Sequence, residues 1–271
     1  MAEAGMDPTT LRYSRQLILD GFGPAGQAKL RRAKVLVIGA GGLGSPALLY
    51  LAAVGVGRLG VADCDAVTFS NLNRQIIHDS TDIGRPKTES AAAKIGRLNP
   101  EVEVIRHDLR LNIDNVEELV RDYDLVIDAT DNFTARYLIN DCCYLLGKPV
   151  IEGAAVGYDG VLMTIIPGQT PCYRCLYPQP PPDGVLSTCS DTGVLGMTTG
   201  IIGTVQALEA VKLILGIGTT LSGRILTFDA LTTGFREVPW RRRPECPLCG
   251  ENPSITELVE YKIQCRTKEV L

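Results

Sequence analysis

From Val35 to Gly57 the chain runs 23 residues without a charge, long enough to cross a bilayer as one helix. Gly39, Gly41, Gly42, Gly44 and Pro46 break that run near its middle. Split there, it reads as a buried strand, VLVIG (35–39), a glycine turn, and a helix from Ser45 to Val54. The unit recurs along the chain. RLGVAD (58–63), VEVIRH (102–107), DLVIDA (124–129) and PVIEGA (149–154) read as strands. Between them lie helices over Lys87 to Leu98, stopped by Asn99-Pro100, Val116 to Val120, and Asn132 to Leu146, closed by Gly147. An earlier helix opens at Pro24 and ends in a basic turn. Strands alternating with helices make βαβ units, so the fold class is α/β: a Rossmann-like, doubly wound, mainly parallel sheet.

After Gly153 the texture changes. GVLMTIIPG (160–168) and RILTFDA (224–230) read as strands that extend the sheet, separated by a proline-rich segment, YPQPPPD (177–183), expected to be a mobile surface loop. The uncharged stretch from Thr192 to Leu208 reads as a loop feeding a buried helix over Ile201 to Leu215, not as a membrane span. A single domain over 1–250 is expected, in halves of about 10–155 and 156–250, with a tail over 251–271. Its 271 residues can bury one large core without disulfides. The net charge of −4 shows no basic face for nucleic acid. MAEAGMDPTT has neither the basic start nor the apolar run of a secretory signal, so the expectation is a reducing cytoplasm, where the 9 cysteines stay free.

Gly39-Ala-Gly41-Gly42-Leu-Gly44 fits G-x-G-x-x-G between a strand and a helix, with Asp63 ending the next strand. Glycines admit phosphates to a helix N-terminus and the carboxylate can hold a ribose; the alternative is a packing turn. NAD and ATP satisfy this motif equally. SNLNRQIIH (70–78) adds a polar cluster of Asn71, Asn73, Arg74 and Gln75, and GRPKTE (84–89) places Lys87 at a helix N-terminus, where a cation opposes the dipole. A triphosphate would explain Arg74 and Lys87, which then suit phosphoryl or nucleotidyl transfer; solvated loop cations are the alternative. DATDN (128–132) ends the fourth strand, and Asp131 is the magnesium candidate, with a plain helix N-cap as the rival reading.

Cys172-x-x-Cys175 and Cys246-x-x-Cys249 supply the four thiolates of a closed tetrahedral Zn²⁺ site, with paired redox disulfides as the alternative. Cys189, in LSTCSDTGV, lies in a polar segment where a thiol can reach a bound substrate. His78 and His107 receive no role, and the arginines at 241–243 read as a solvated turn.

RYSRQ (12–16), GAGGLG (39–44), DCD (63–65), SNLNRQ (70–75), GRPK (84–87), DATDN (128–132), both C-x-x-C pairs and ALEAVK (207–212) together resemble the MoeB/ThiF family. These are sulfur-carrier adenylyltransferases, bacterial relatives of the ubiquitin-activating enzymes. The resemblance implies a homodimer that binds ATP and Mg²⁺ and adenylylates the C-terminal glycine of a ubiquitin-like sulfur carrier ending in Gly-Gly, in molybdopterin, thiamin or related biosynthesis. By motif, Gly41 lies against the phosphates, Asp63 holds the ribose, and Asn71, Arg74 and Lys87 face the polyphosphate. Asp131 takes the metal, Arg15 reaches the neighbouring subunit's site, and Cys189 matches a loop cysteine whose use varies among relatives. SITELVEYKIQC (254–265) resembles a linker that leads longer relatives into a rhodanese domain, so the sulfur donor is expected to be separate, a cysteine desulfurase or a rhodanese. An NAD-dependent oxidoreductase and a tRNA-modifying dehydratase relative are the alternatives.

Overall fold

The computed structural model describes residues 8–180 and 192–259. Two short helices, α1 (Pro8–Arg12) and α2 (Ser14–Leu17), lead into α3 (Gly23–Arg32), which has Pro24 in its first turn and three basic residues in its last. The expected alternation follows within a residue or two: β1 (Lys34–Ile38), α4 (Gly44–Val54), β2 (Arg58–Ala62), α5 (Lys87–Leu98), β3 (Glu103–His107), α6 (Val116–Arg121), β4 (Leu125–Asp128), α7 (Phe133–Leu145) and β5 (Val150–Val156). Then come β6 (Asp159–Ile165), α8 (Tyr173–Leu176), α9 (Gly196–Leu215), β7 (Arg224–Asp229) and β8 (Gly234–Pro239).

One eight-stranded sheet runs through the molecule in the order β3-β2-β1-β4-β5-β6-β7-β8. The first five strands are parallel and the last three pair antiparallel. The chain winds outward through β2 and β3 on one side of β1, then through β4 and β5 on the other. This reversal opens a crevice at the carboxyl ends of β1 and β4. Both sheet faces are covered, so β1 and β4 are continuous apolar runs. Leu30, Leu48, Leu51, Ile95, Ile202 and Ala210 pack one face from α3, α4, α5 and α9. Leu119, Tyr137, Ile139, Tyr173 and the four cysteines pack the other from α6, α7, α8 and the C-terminal segment.

Three expectations need correction. First, α9 begins at Gly196, within the stretch expected to be a loop. Its glycines permit close packing: a β-carbon at Gly203 would collide with the Leu43 carbonyl and Pro46 of α4. By length and composition α9 could cross a membrane, yet half of its apolar window is buried against the domain. Second, β8 had no sequence signal. It is an exposed edge strand reading GFREVP, joined to β7 by backbone pairing and by Phe235 on Phe228, 4.7 Å between ring centroids. Third, the proline-rich segment starts anchored, since Tyr137 Oη donates to the carbonyls of Tyr177 at 2.9 Å and Gln179 at 2.8 Å. Its remainder lies outside the described residues.

A buried ion pair ties α7 to α8. Arg174 Nε and Nη2 donate to Asp141 Oδ1 and Oδ2 at 2.8 and 2.6 Å, and the guanidinium lies 4.7 Å from the centroid of the Tyr137 ring. Asn140 Oδ1 accepts the Tyr173 backbone N–H at 2.9 Å beside it. Because removing one partner strands the other charge in the interior, Asp141→Leu or Arg174→Met alone should each cost about 3 to 5 kcal/mol in urea unfolding. The double variant should recover part of that loss; strict additivity would show that the two side chains are not coupled.

Candidate active site

The glycine turn is shaped by crowding. Gly39 has φ +99°, and a β-carbon there would lie 2.6 Å from the Ala129 carbonyl at the end of β4. Gly44 packs against the Gly39 carbonyl, behind the turn. Gly42 meets Thr199 of α9, 2.9 Å from its Oγ1 to a built β-carbon, while a β-carbon at Gly41 would make only an ordinary contact, 3.7 Å from Gln75 Nε2. Gly39, Gly41 and Gly42 therefore line the cavity and Gly44 does not. That cavity, about 800 Å³, occupies the crevice expected from the topology.

Asp63 props the turn from β2. Its Oδ2 accepts the Ala40 N–H at 2.8 Å and its Oδ1 the Asp65 N–H at 2.9 Å. His78 supports the turn from below, with Nε2 3.0 Å from the Ala40 carbonyl and Nδ1 2.8 Å from Ser90 Oγ on α5. This histidine is buried, a structural strut rather than the loop contact expected, and burial pulls its pKa below the ordinary value. His107 pairs with the Tyr123 hydroxyl at 2.7 Å.

Lys87 opens α5 as expected and is only 6% exposed. Its Nζ lies 2.8 Å from Asp65 Oδ2 and 3.9 Å from Asp63 Oδ2, and that hydrogen bond holds the Asp65 carboxyl below the usual range. Arg74, half-buried at the wall, donates to the Ser70 carbonyl at 2.9 Å and Asn73 Oδ1 at 3.1 Å. Both cations face the cavity. Asn71 does not: its Oδ1 accepts the Thr68 N–H at 3.0 Å and closes the short 3-10 turn that precedes Arg74. Asn132, not Asp131, caps α7, with Oδ1 accepting the Ala135 N–H at 2.9 Å. Asp131 is thereby left exposed on the cavity wall without a hydrogen bond among the described residues.

Arg15 sits exposed on α2, away from its own chain's cavity, beside exposed Ile18 and Leu19. Cys189 lies outside the described residues, as does Cys265. Sequence reasoning missed Arg110, Arg136, Glu152 and Thr199, which all line the cavity. Arg110 follows β3 at the same carboxyl end that drew attention to Asp131. Glu152, an acid inside an apolar strand, was a signal in its own right.

Cys172, Cys175, Cys246 and Cys249 are buried, with their sulfurs all within 4.8 Å of one another. Cys172 Sγ lies 3.5 Å from Cys246 Sγ and Cys175 Sγ 3.2 Å from Cys249 Sγ, far beyond the roughly 2.05 Å of a disulfide. The pairing also runs between the two motifs, not within either. The arginines at 241–243 are exposed, as expected, and two of them also reach the cysteine knuckle. Arg242 donates to the Cys249 and Gly250 carbonyls, and the Arg243 N–H points at Cys175 Sγ from 3.5 Å, because the knuckle's carbonyls and sulfurs need donors.

A model of the ThiF family matches residues 13–248. The chain belongs to the ThiF family. It is 48% identical to a sulfur carrier protein adenylyltransferase of Thermus thermophilus over 94% of this chain and 96% of that protein. Identity to a SAMP-activating enzyme E1 of Haloferax volcanii is 50%, over 96% and 97%. Identity to an adenylyltransferase and sulfurtransferase MOCS3 of Aedes aegypti is 46%, over 95% of this chain but 59% of that longer protein. The crystal structure of E. coli MccB shares the fold at a TM-score of 0.80 and 23% identity, covering 91% of this chain and 74% of that one.

The strut under this ThiF-family turn has a pH signature. Burial lowers the pKa of folded His78, whereas in the unfolded chain it takes up a proton near its ordinary value of 6.5. The unfolded state then binds more protons, so stability should fall as pH drops from 7 to 5. In His78→Gln, which cannot titrate, urea midpoints should fall less steeply over that window; parallel slopes would remove His78 as the cause.

Proposed function

We propose that this chain uses ATP and Mg²⁺ to adenylylate the C-terminal glycine carboxylate of a ubiquitin-like sulfur carrier protein ending in Gly-Gly. One observation carries the reading. A single cavity at the β1–β4 reversal gathers the Gly41–Gly42 turn, the cations Arg74 and Lys87, and the uncommitted carboxylate of Asp131, in a family of named adenylyltransferases. An NAD-dependent oxidoreductase would leave those three charged side chains without work, and a tRNA-modifying dehydratase relative would leave the four-cysteine cluster unexplained.

In the reaction, a carboxylate oxygen of the carrier attacks the α-phosphorus of ATP. A new oxygen–phosphorus bond forms as the bond to the α–β bridging oxygen breaks, and pyrophosphate leaves. The attacking carboxylate is already ionised at neutral pH, so no general base is needed, and positioning with charge stabilisation does the chemistry. Gly41 and Gly42 let the phosphates approach the α4 N-terminus, Asp63 holds the ribose, and Arg74 and Lys87 face the polyphosphate. Asn71 contributes through the turn it closes beneath Arg74. Magnesium held by Asp131 would supply further neutralisation of phosphate charge. In a homodimer, Arg15 reaches the neighbouring subunit's cavity.

The four buried thiols fit a closed tetrahedral site, where sulfurs about 2.3 Å from a Zn²⁺ ion surround it and leave no open position. Zinc there is architectural. Residues of about 10–155 form the nucleotide-binding half, and about 156–250 the half that carries the zinc and docks the carrier. A sulfur nucleophile then attacks the acyl carbon, forming a carbon–sulfur bond as the acyl–phosphate bond breaks and AMP leaves; the donor is a cysteine desulfurase or a rhodanese in a reducing cytoplasm, with Cys189 as the candidate thiol. Molybdopterin or thiamin biosynthesis is the setting proposed for the carrier.

ATP–pyrophosphate exchange should require both Mg²⁺ and a carrier with its last glycine, and truncating that glycine should abolish it. A charge-assisted phosphate contact contributes roughly 1.5 to 3 kcal/mol, so Arg74→Ala and Lys87→Ala should each slow exchange about tenfold or more while the fold persists. Silent substitutions, or tight NAD binding with no exchange, would overturn the reading. Elemental analysis of the purified chain should find about one zinc per chain, lost together with stability when Cys172 or Cys246 becomes serine. A stable, fully folded preparation free of zinc would sink that part.

A further inference from the structure

Beneath the wall that carries Asp131, two carboxyl groups are buried side by side. Asp128 ends β4, and Glu152 is its register partner on β5, so both side chains leave the same face of the sheet. Asp128 is 0% exposed and Glu152 1%. Asp128 Oδ1 accepts from the Thr130 N–H at 2.8 Å and the Thr130 hydroxyl at 2.7 Å. Glu152 Oε2 lies 3.3 Å from Arg136 Nη1. The two remaining oxygens, Asp128 Oδ2 and Glu152 Oε1, are buried and have no donor among the described residues. As register partners on adjacent parallel strands, with side chains on one face, the two carboxyl groups are immediate neighbours.

Two buried carboxylates at this range repel, and the Arg136 guanidinium balances the charge of one. A proton between the two orphan oxygens relieves the repulsion and satisfies both atoms. Burial, reinforced by the Asp128 charge, accordingly holds Glu152 well above the usual carboxylate range. Besides Arg136, the groups facing the pair are Cys143 from α7 and Tyr173 from α8, and burial pushes both upward, so they stay neutral.

The pair's partners converge on one residue. Asp128 holds the N–H and hydroxyl of Thr130, and Arg136 Nη2 holds the Thr130 carbonyl at 2.8 Å while Nη1 reaches the Gly153 carbonyl at 3.0 Å. Thr130 immediately precedes Asp131. We infer that Asp128 and Glu152 share one proton, and that this pair with Arg136 fixes the turn at residues 130–132, making Glu152 a positioning residue for the Asp131 carboxylate. The second half of this inference rests on the adenylylation reading; the first does not. At high pH the shared proton leaves, two anions face each other, and the turn loses its support, so activity falls as pH rises.

Two measurements separate these layers. Infrared spectra of the full-length chain at neutral pH should show the carbonyl stretch of a protonated carboxyl group that is absent in both Glu152→Gln and Asp128→Asn. A spectrum unaltered by both substitutions overturns the shared proton, whatever the enzyme does. In ATP–pyrophosphate exchange, Glu152→Leu should raise the half-saturating Mg²⁺ concentration about tenfold, and Glu152→Gln, whose amide can donate to Asp128 without titrating, should restore it and lack the alkaline fall seen in the wild type. If Glu152→Leu does not fold, the Glu152→Gln pH profile alone decides. A Glu152→Gln profile superimposed on the wild type, or an unchanged Mg²⁺ dependence in folded Glu152→Leu, overturns the positioning role. A wild type without exchange on any Gly-Gly carrier refutes the adenylylation reading, and the infrared test of the pair still stands.

Discussion

The carboxyl ends of β1 and β4 approach so closely that the Gly39 position has no room for a β-carbon against the Ala129 carbonyl. This contact sits where the winding of the sheet reverses, and it sets the geometry of the cavity. Because β1 must turn there with positive φ, α4 starts immediately afterwards with its N-terminus at the opening. Because β4 ends there, the turn at 129–132 must bend away, and that bend carries Asp131 to the wall. A larger residue at Gly39 would separate the strands and displace both sides of the site together.

Around that opening, the charged side chains fall into two groups. Lys87 is already engaged by Asp65 and Asp63, and Arg74 by a carbonyl and an amide oxygen, so neither cation stands desolvated and alone. Such partners are exchangeable. A polyphosphate that enters replaces one set of oxygens with another, and the net gain is the difference between the two sets, not the full Coulomb attraction. Asp131 is the opposite case, because Asn132 takes over helix capping and leaves the aspartate uncommitted. Among the described residues, the cavity thus combines two cations that already have partners with one exposed carboxylate that has no hydrogen bond.

The parallel half of the sheet was legible because β1, β2, β4 and β5 are largely buried apolar runs alternating with helices, while β3 is half exposed at the edge. The site residues lay at the ends of those strands, so order along the chain placed Asp63, Arg74, Lys87 and Asp131 in one crevice before any coordinates. What failed was tertiary. Gly196, Gly200 and Gly203 argue for a loop on local propensity, yet in α9 the last of them permits contact with α4. β8 carries no apolar alternation because it is an exposed edge strand, held by β7 alone. Arg242 and Arg243 are exposed as expected, but their contacts with the knuckle were not legible, because nothing in their own segment reveals the carbonyl and sulfur they meet. The role of Asn71 in closing a turn was equally invisible, since one asparagine can cap a turn or face a ligand.

α7 joins the two ends of the molecule. Its first turn follows Asn132 and places Arg136 on Thr130 and Glu152, at the wall of the cavity. Two turns later, Asn140 and Asp141 fasten Tyr173 and Arg174, which stand between Cys172 and Cys175. A cluster of four thiols therefore braces the far end of the same helix whose near end fixes Asp131. The links at Asn140, Asp141, Tyr173 and Arg174 are buried and hydrogen-bonded, and those at Thr130 are partly buried. A side-chain cluster at one end of the molecule is thereby linked through one helix to the turn at residues 130–132 on the cavity wall at the other.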